Sequence, residues 1–287
     1  MKMLPNEEYF AGKSVVIVGP SQSLKGSKQG EFIDSFDLVV RVNKGWWPAT
    51  VFDKEEQDTI AEVLYEDCFH EDYETFELFQ KDGFNYSSAG SLREDIGTRT
   101  DVLYNNYDRN MVSGGLHHPA IISKAGVKLL IGSRYPRDNY DWDDYQKLAR
   151  DHTMIGSNGI GLVRKELYEA IVRQLGTTPH AGHSAILDLL YGNGRYLKSL
   201  HIMGFSYYSE PPAKEYYMAH SSYEFVMNEL NEDGTGKDCN GDESKYGHDN
   251  NSEVEDIARV VQRETEIGRV TIDQLLTDRI NGVSVSS

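Results

Sequence analysis

Five short runs of aliphatic and β-branched residues recur along the chain, at 14–18, 37–42, 100–104, 127–131 and 200–203. Each is bounded by Gly, Pro, Asn or Ser and shows no sustained alternation of polar and apolar positions. That is the pattern of strands buried on both faces of a parallel sheet. Between them the apolar spacing changes to three and four. Ile60, Val63, Leu64 and Cys68 share one helical face, as do Ala185, Ile186, Leu189 and Leu190, and later Val254, Ile257, Ala258 and Val261. Strand–helix alternation from residue 14 to about 205 predicts an α/β fold: one Rossmann-like domain over 1–287, with helices flanking a mostly parallel central sheet. No internal repeat interrupts it. The segment 231–251, rich in Gly, Asp, Asn and Glu, reads as a flexible loop ahead of the last patterned helix.

Composition narrows the class. With 287 residues, 39% of them hydrophobic, the chain has the make-up of a soluble globular protein. It has no apolar run of about 18 residues, so no membrane span is expected. Nothing in the first twelve residues has the apolar length of a signal peptide. Its two cysteines, Cys68 and Cys239, lie in polar, acidic surroundings. They make neither a disulfide framework nor a thiolate zinc site, and a reduced, cytoplasmic setting is expected. The net charge of -17, with no Lys/Arg cluster, argues against nucleic acid as a partner. Residues 53–82 hold twelve acidic and two basic residues and read as a solvated helical face.

The first predicted strand ends in Gly19-Pro20-Ser21-Gln22-Ser23-Leu24. A small residue at Gly19 lets the backbone approach a ligand, and Ser21 and Ser23 offer hydroxyls and N–H groups. In open α/β sheets ligands bind at the carboxyl ends of strands, so a nucleotide is expected here. The order is neither the dinucleotide Gly-x-Gly-x-x-Gly nor a P-loop. A strand followed by an ordinary polar turn accounts for this run equally well on its own. The next residues shift the balance: Leu24-Lys-Gly-Ser27, Ile33-Asp34 and Arg41-Val-Asn43 follow in order. Read whole, residues 15–44 resemble the large sialyl motif of glycosyltransferase family 29, the sialyltransferases. The resemblance implies a GT-A-like fold and a cytidine-monophosphate-linked sugar donor contacted by the first turn and Asn43. Pro20 stands where the family usually has Asn. A similar Thr-Asp strand at 100–104 leads to Asn105 and Asn106, at a carboxyl end where donor contacts are expected.

Residues 177–190 read as a turn opening an apolar-faced helix, whose positive end lies at Gly182–Ser184 and suits an anion. With the strand that follows, this resembles the small sialyl motif: Pro179, Gly182, Gly204 and Phe205 match. His180 and Ala181 replace its Ser-Thr pair. That implies a different nonulosonic sugar, or a pocket in which His180 or His183 takes over the lost contacts. Helix-cap polarity explains both histidines equally well.

Inverting transfer needs a base for the acceptor hydroxyl, and histidine suits it. His248, five residues ahead of Glu253, has the spacing and position of the family's late His, with Glu253 holding local structure. Ser252 and Glu255 fit a capping box there, and Asn251 is an alternative cap. His220 is the alternative base, preceded by Tyr216 and Tyr217, which are placed to cover the cytosine or ribose. Asp141-Trp-Asp143-Asp144 has the look of a diphosphate-sugar metal motif, but it sits in an acidic patch rather than after a strand, and family 29 needs no metal. No metal and no cofactor are therefore expected, the CMP-sugar being donor substrate and a glycan the acceptor partner.

The resulting expectation is a transfer of sialic acid or a related nonulosonic sugar, Kdo included, to a glycan hydroxyl, in the cytoplasm of a bacterium or of a virus-infected host cell. Three other classes stay open: a nucleotide-binding protein without catalysis, a transferase for another nucleotide sugar, and an NAD-type oxidoreductase.

Overall fold

The computed structural model describes residues 6–58, 85–106, 119–134, 159–207, 209–210, 212–218 and 250–282. Among the described residues seven strands form one parallel sheet: β1 (Ser14–Val18), β2 (Leu38–Val42), β3 (Val102–Asn105), β4 (Leu129–Gly132), β5 (Gly159–Leu162), β6 (Ser199–Met203) and β7 (Val270–Ile272). Their order is β5-β4-β3-β2-β1-β6-β7. The strands after β1 build outward on one side, and the chain then returns to add β6 and β7 on the other. The topological switch point therefore lies between β1 and β6, where a doubly wound sheet opens a crevice at its carboxyl edge.

The α/β expectation holds, with two additions. β5 contains two glycines in four residues and β7 is only three residues long, so neither carries the apolar run that marks the other five. β3 and β4 also sit two residues later than their sequence patterns suggest. Asp101 explains the first shift: it precedes the strand and clamps its neighbours, exchanging backbone bonds with Val39 and Lys128 while its carboxylate accepts from the Val39 amide at 2.9 Å and from Lys128 Nζ at 2.8 Å.

Two apolar layers close the sheet. On one face Val15, Ile17, Val40, Val102 and Ile131 meet three longer helices, α5 (Lys165–Leu175), α6 (Ala181–Tyr191) and α7 (Asn250–Glu266). On the other face Val16, Val18, Val39 and Met203 meet the short helices α2 (Gly30–Asp34) and α3 (Arg93–Ile96). The remaining labelled helices are α1 (Asn6–Phe10), α4 (Pro119–Lys124) and α8 (Gln274–Asn281). The helix α7 starts by Asn250, so Ser252 lies inside its first turn rather than capping it.

Arg41 and Asp188 stand buried within these layers. Arg41 Nε donates to the Arg99 carbonyl and Thr100 hydroxyl, and Nη2 to the Ile96 carbonyl at 2.6 Å. Burial pushes its guanidinium down to about 10, against the pull of Asp34 and Asp101, so it stays charged at neutral pH. Asp188 of α6 accepts from Tyr104 Oη at 2.7 Å and from Asn193 Nδ2 at 2.9 Å, which ties the helix to the sheet. Its burial raises the carboxyl above its ordinary range. Among the described residues no helix is long and apolar enough to cross a membrane.

Candidate functional site

Backbone contacts zip the ends of β1 and β6 together. Gly19 N–H donates to the Met203 carbonyl at 2.9 Å and Ser21 N–H to the Gly204 carbonyl at 3.1 Å. A methyl group on Gly19 would run into the Gly204 carbonyl. On Gly204, whose φ is +73°, it would meet Leu24 Cδ1 at 2.5 Å. The two glycines thus permit backbones to cross closely. Phe205 follows, and its ring also faces Gly182 of α6: a Cβ there would lie 2.6 Å from Cε1. Gly19 and Gly182 are therefore near neighbours with the Phe205 ring between them. The sequence reading explains Gly19 by ligand approach. In the structure the space that the missing side chains of these glycines leave is filled by the chain itself.

The turn after β1 holds an oxyanion. Ser21 Oγ donates to Glu210 Oε1, and Ser23 N–H donates to the same oxygen at 3.0 Å, while the two serine hydroxyls lie 2.7 Å apart. Glu210 comes from the loop beyond β6, which is anchored beside the turn by Ala213 N–H on the Pro20 carbonyl at 2.8 Å. Nothing local in the sequence marks Glu210, because it meets Ser21 across 189 positions.

Two non-glycine residues flank this crevice with left-handed backbones, Asn43 at φ +49° and Tyr207 at φ +47°. Such geometry costs about 1–3 kcal/mol and clusters where function demands it. Asn43 Oδ1 accepts from the Asn106 amide at 3.2 Å, joining the ends of β2 and β3. Asn105 is fully buried, and its carbonyl accepts from Ser133 N–H at 2.8 Å. Next to Asn43, Lys44 is buried with Nζ 5.1 Å from the centroid of Tyr216 and 4.7 Å from that of Tyr217. These rings, read from the sequence as covers for a base or ribose, pack on a cation of the chain itself, and Tyr216 Oη donates to the Val42 carbonyl at 3.1 Å.

At the start of α6, His180 donates its backbone N–H to Glu253 Oε1 at 2.7 Å, and its Nδ1 lies 2.9 Å from Oε2. One turn on, His183 Nε2 lies 3.1 Å from Asp256 Oδ2, and Nδ1 lies 3.4 Å from Tyr207 Oη. Two His–carboxylate rungs thus join α6 to α7. The His183 ring is sealed at 0% exposure, whereas the His180 ring retains 18%. His183 therefore ties helices together and meets no solvent. Burial alone would raise the Glu253 carboxyl, but the charges and hydrogen bonds of His180, with the charge of His183, drive it down to about 2.

His248 and His220 lie outside the described residues, as do Asp141, Asp143 and Asp144, and residues 231–249 of the expected loop. Among the described residues, no three His, Cys, Asp or Glu gather as a metal site would require.

Residues 7–53 match the profile of Glycosyltransferase family 29 (sialyltransferase). The match spans β1, the serine turn, α2, β2 and Asn43, one side of the crevice. No curated protein matches the chain significantly. Among solved structures, a mammalian sialyltransferase in complex with Gal-beta-1-3GalNAc-ortho-nitrophenol aligns at 14% identity with a TM-score of 0.40, covering 93% of this chain and 71% of that one. A further mammalian sialyltransferase structure aligns at 15% identity with a TM-score of 0.42, covering 92% and 69%. At these values the two stand as likenesses only.

Proposed function

We propose that this family 29-like chain is a glycosyltransferase that moves a sialic acid or related nonulosonic sugar from a CMP-linked donor to a glycan hydroxyl, with inversion at the anomeric carbon. One observation carries the reading. The serine turn of the family-matched segment sits at the switch point of a parallel sheet and already seats an oxyanion on Ser21 Oγ and Ser23 N–H. A nucleotide phosphate has the same needs: short-range N–H and O–H donors held rigidly at the carboxyl edge of the sheet. Asn43, in a left-handed turn after the neighbouring strand β2, is the residue assigned to the nucleoside.

In such a transfer the acceptor oxygen bonds to the anomeric carbon while the bond to the CMP phosphate breaks, and a histidine accepts the hydroxyl proton. His248 is the candidate that the family spacing to Glu253 supports. A monophosphate leaving group carries less charge than a diphosphate, so fixed donors suffice to stabilise it and no metal is invoked. Pro20, His180 and Ala181 depart from the family's donor-contacting residues, so the sugar need not be the family's usual one.

A thermal-shift comparison of CMP, CDP, UMP, UDP and NAD tests the donor class, because a ligand bound only by the native state raises its melting temperature. CMP is expected to give the largest shift. A shift from UDP or NAD with none from CMP would contradict the reading.

A further inference from the structure

We propose that Tyr216 and Lys44 are positioning residues: they hold the Asn43 turn in register with the serine turn, so that one nucleotide spans both. The inference rests on the CMP reading above and adds what fixes its two contacts relative to each other. Strands β1 and β2 are parallel neighbours, so the serine turn and Asn43 leave the same edge of the sheet about one strand spacing, roughly 5 Å, apart. Asn43 is the weak point of this arrangement. Its left-handed φ of +49° is unfavourable for a residue with a Cβ and persists only where neighbours over-determine it. The turn that contains it closes by Gly45 N–H on the Val42 carbonyl at 2.9 Å, and Asn43 N–H donates to the Tyr104 carbonyl at 2.7 Å. A carbonyl oxygen has two lone pairs, and Tyr216 Oη donates to that of Val42 as well, at 3.1 Å. On the other side of Asn43, Lys44 Nζ lies 5.1 Å from the centroid of Tyr216 and 4.7 Å from that of Tyr217. Lys44 is only 1% exposed, and a cation is drawn to an aromatic face most strongly when desolvated. The residues before and after Asn43 are thus both gripped by one aromatic pair.

The aromatic pair is itself tied to the first turn. It ends a single 3₁₀ turn, Lys214–Tyr216, and the residue ahead of that turn, Ala213, donates its N–H to the Pro20 carbonyl at 2.8 Å. Pro212 forms a β-bridge with Ser21. At the far end Asn85 N–H donates to the Met218 carbonyl at 2.6 Å. Residues 212–218 therefore form a strap, anchored at both ends, that crosses from the phosphate seat to the Asn43 turn. Tyr216 and Tyr217 are 8% and 4% exposed, so they have little face left for a base or ribose. Their effect on a nucleotide passes through the turn they grip.

The test is a double-mutant cycle on CMP affinity, measured by calorimetry for the unaltered protein, Asn43→Ala, Tyr216→Phe and the double variant. Tyr216→Phe keeps the ring on Lys44 and removes only the bond to Val42. Asn43→Ala and Tyr216→Phe are each expected to weaken CMP binding about 3- to 10-fold, the size of one neutral hydrogen bond. Once Asn43 is Ala, Tyr216→Phe is expected to cost less than about twofold more, because it acts through the residue already removed. Lys44→Met, which keeps the stem and removes the cation, is expected to behave as Tyr216→Phe does. Tyr191→Phe removes a tyrosine hydroxyl bond at the opposite end of α6 from Gly182 and is expected to leave CMP affinity unchanged, which separates lost positioning from lost stability. If Asn43→Ala weakens CMP binding while Tyr216→Phe and Lys44→Met do not, the positioning role is overturned and the CMP reading stands. Equal losses from Tyr216→Phe with and without Asn43 also overturn it, because the tyrosine then acts on the nucleotide itself. Unchanged affinity in Asn43→Ala removes Asn43 from the site and the positioning role with it. An unaltered protein that does not bind CMP sinks the CMP reading, and this inference falls with it.

Discussion

Gly19 shows how one residue type can be read correctly for the wrong reason. A glycine at the end of the first strand is expected beside a nucleotide, but here it lets β1 and β6 cross, with the Gly204 carbonyl where its side chain would be. Gly19→Ala should therefore destabilise the fold by about 1–3 kcal/mol, the cost of overpacking, as read from urea denaturation. Unchanged stability would mean that the two strand ends part easily. Glu253 gives a prediction in pH. Its folded carboxyl is drawn down to about 2 from an ordinary 4.5, so its pairing stabilises the fold fully above about pH 4.5. That stability is lost as pH falls through the folded value. A urea midpoint followed from pH 6 to 2 should fall more steeply in the unaltered protein than in Glu253→Gln. Parallel curves would show that the His180–Glu253 contact contributes nothing to folding.

At the level of elements, the loop after β6 does more than connect. It brings Glu210 onto Ser21 and Ser23 and the Ala213 amide onto Pro20, so the turn after β1 is held from across the switch point. If that seat is for a phosphate, the Glu210 carboxylate competes with it. Glu210→Ala is then expected to tighten CMP binding roughly 3- to 10-fold, which is about 0.7–1.4 kcal/mol. Calorimetry would measure it. Weaker binding in the variant would instead make Glu210 an acceptor for a ligand hydroxyl.

The same level separates what sequence reveals from what it hides. The runs Val15–Val18 and Leu38–Val42 are apolar because both sheet faces are covered, and they can be read directly. Strand β5 escapes because Gly161 must be small where the Asn6 side chain packs against it. Helix α5 carries a clear helical stripe at Tyr168, Ile171 and Leu175, which the sequence analysis leaves unassigned. Of the candidate site, the sequence places locally the serine turn and Asn43, each directly after a strand. The links His180–Glu253, His183–Asp256 and Ser21–Glu210 span 73, 73 and 189 positions. Only the assembled sheet brings them together, and no spacing along the chain encodes them.

For the whole molecule, the parallel sheet reverses its winding direction between β1 and β6, and the serine turn and Asn43 follow adjacent strands at its carboxyl edge. The family-matched segment supplies one side of that edge. The α6–α7 pair, joined by His180–Glu253 and His183–Asp256, lies outside that match. The proposal of a CMP donor with an unusual sugar rests on this juxtaposition of the family-matched serine turn with the start of α6. The most direct measurement is CMP release from CMP-linked nonulosonic sugars, followed with and without a panel of glycan acceptors. The account predicts release that accelerates when an acceptor is present, with the sugar recovered on the acceptor in inverted configuration. Release from no CMP-sugar, by a folded protein that turns over a UDP-sugar or none, would contradict it.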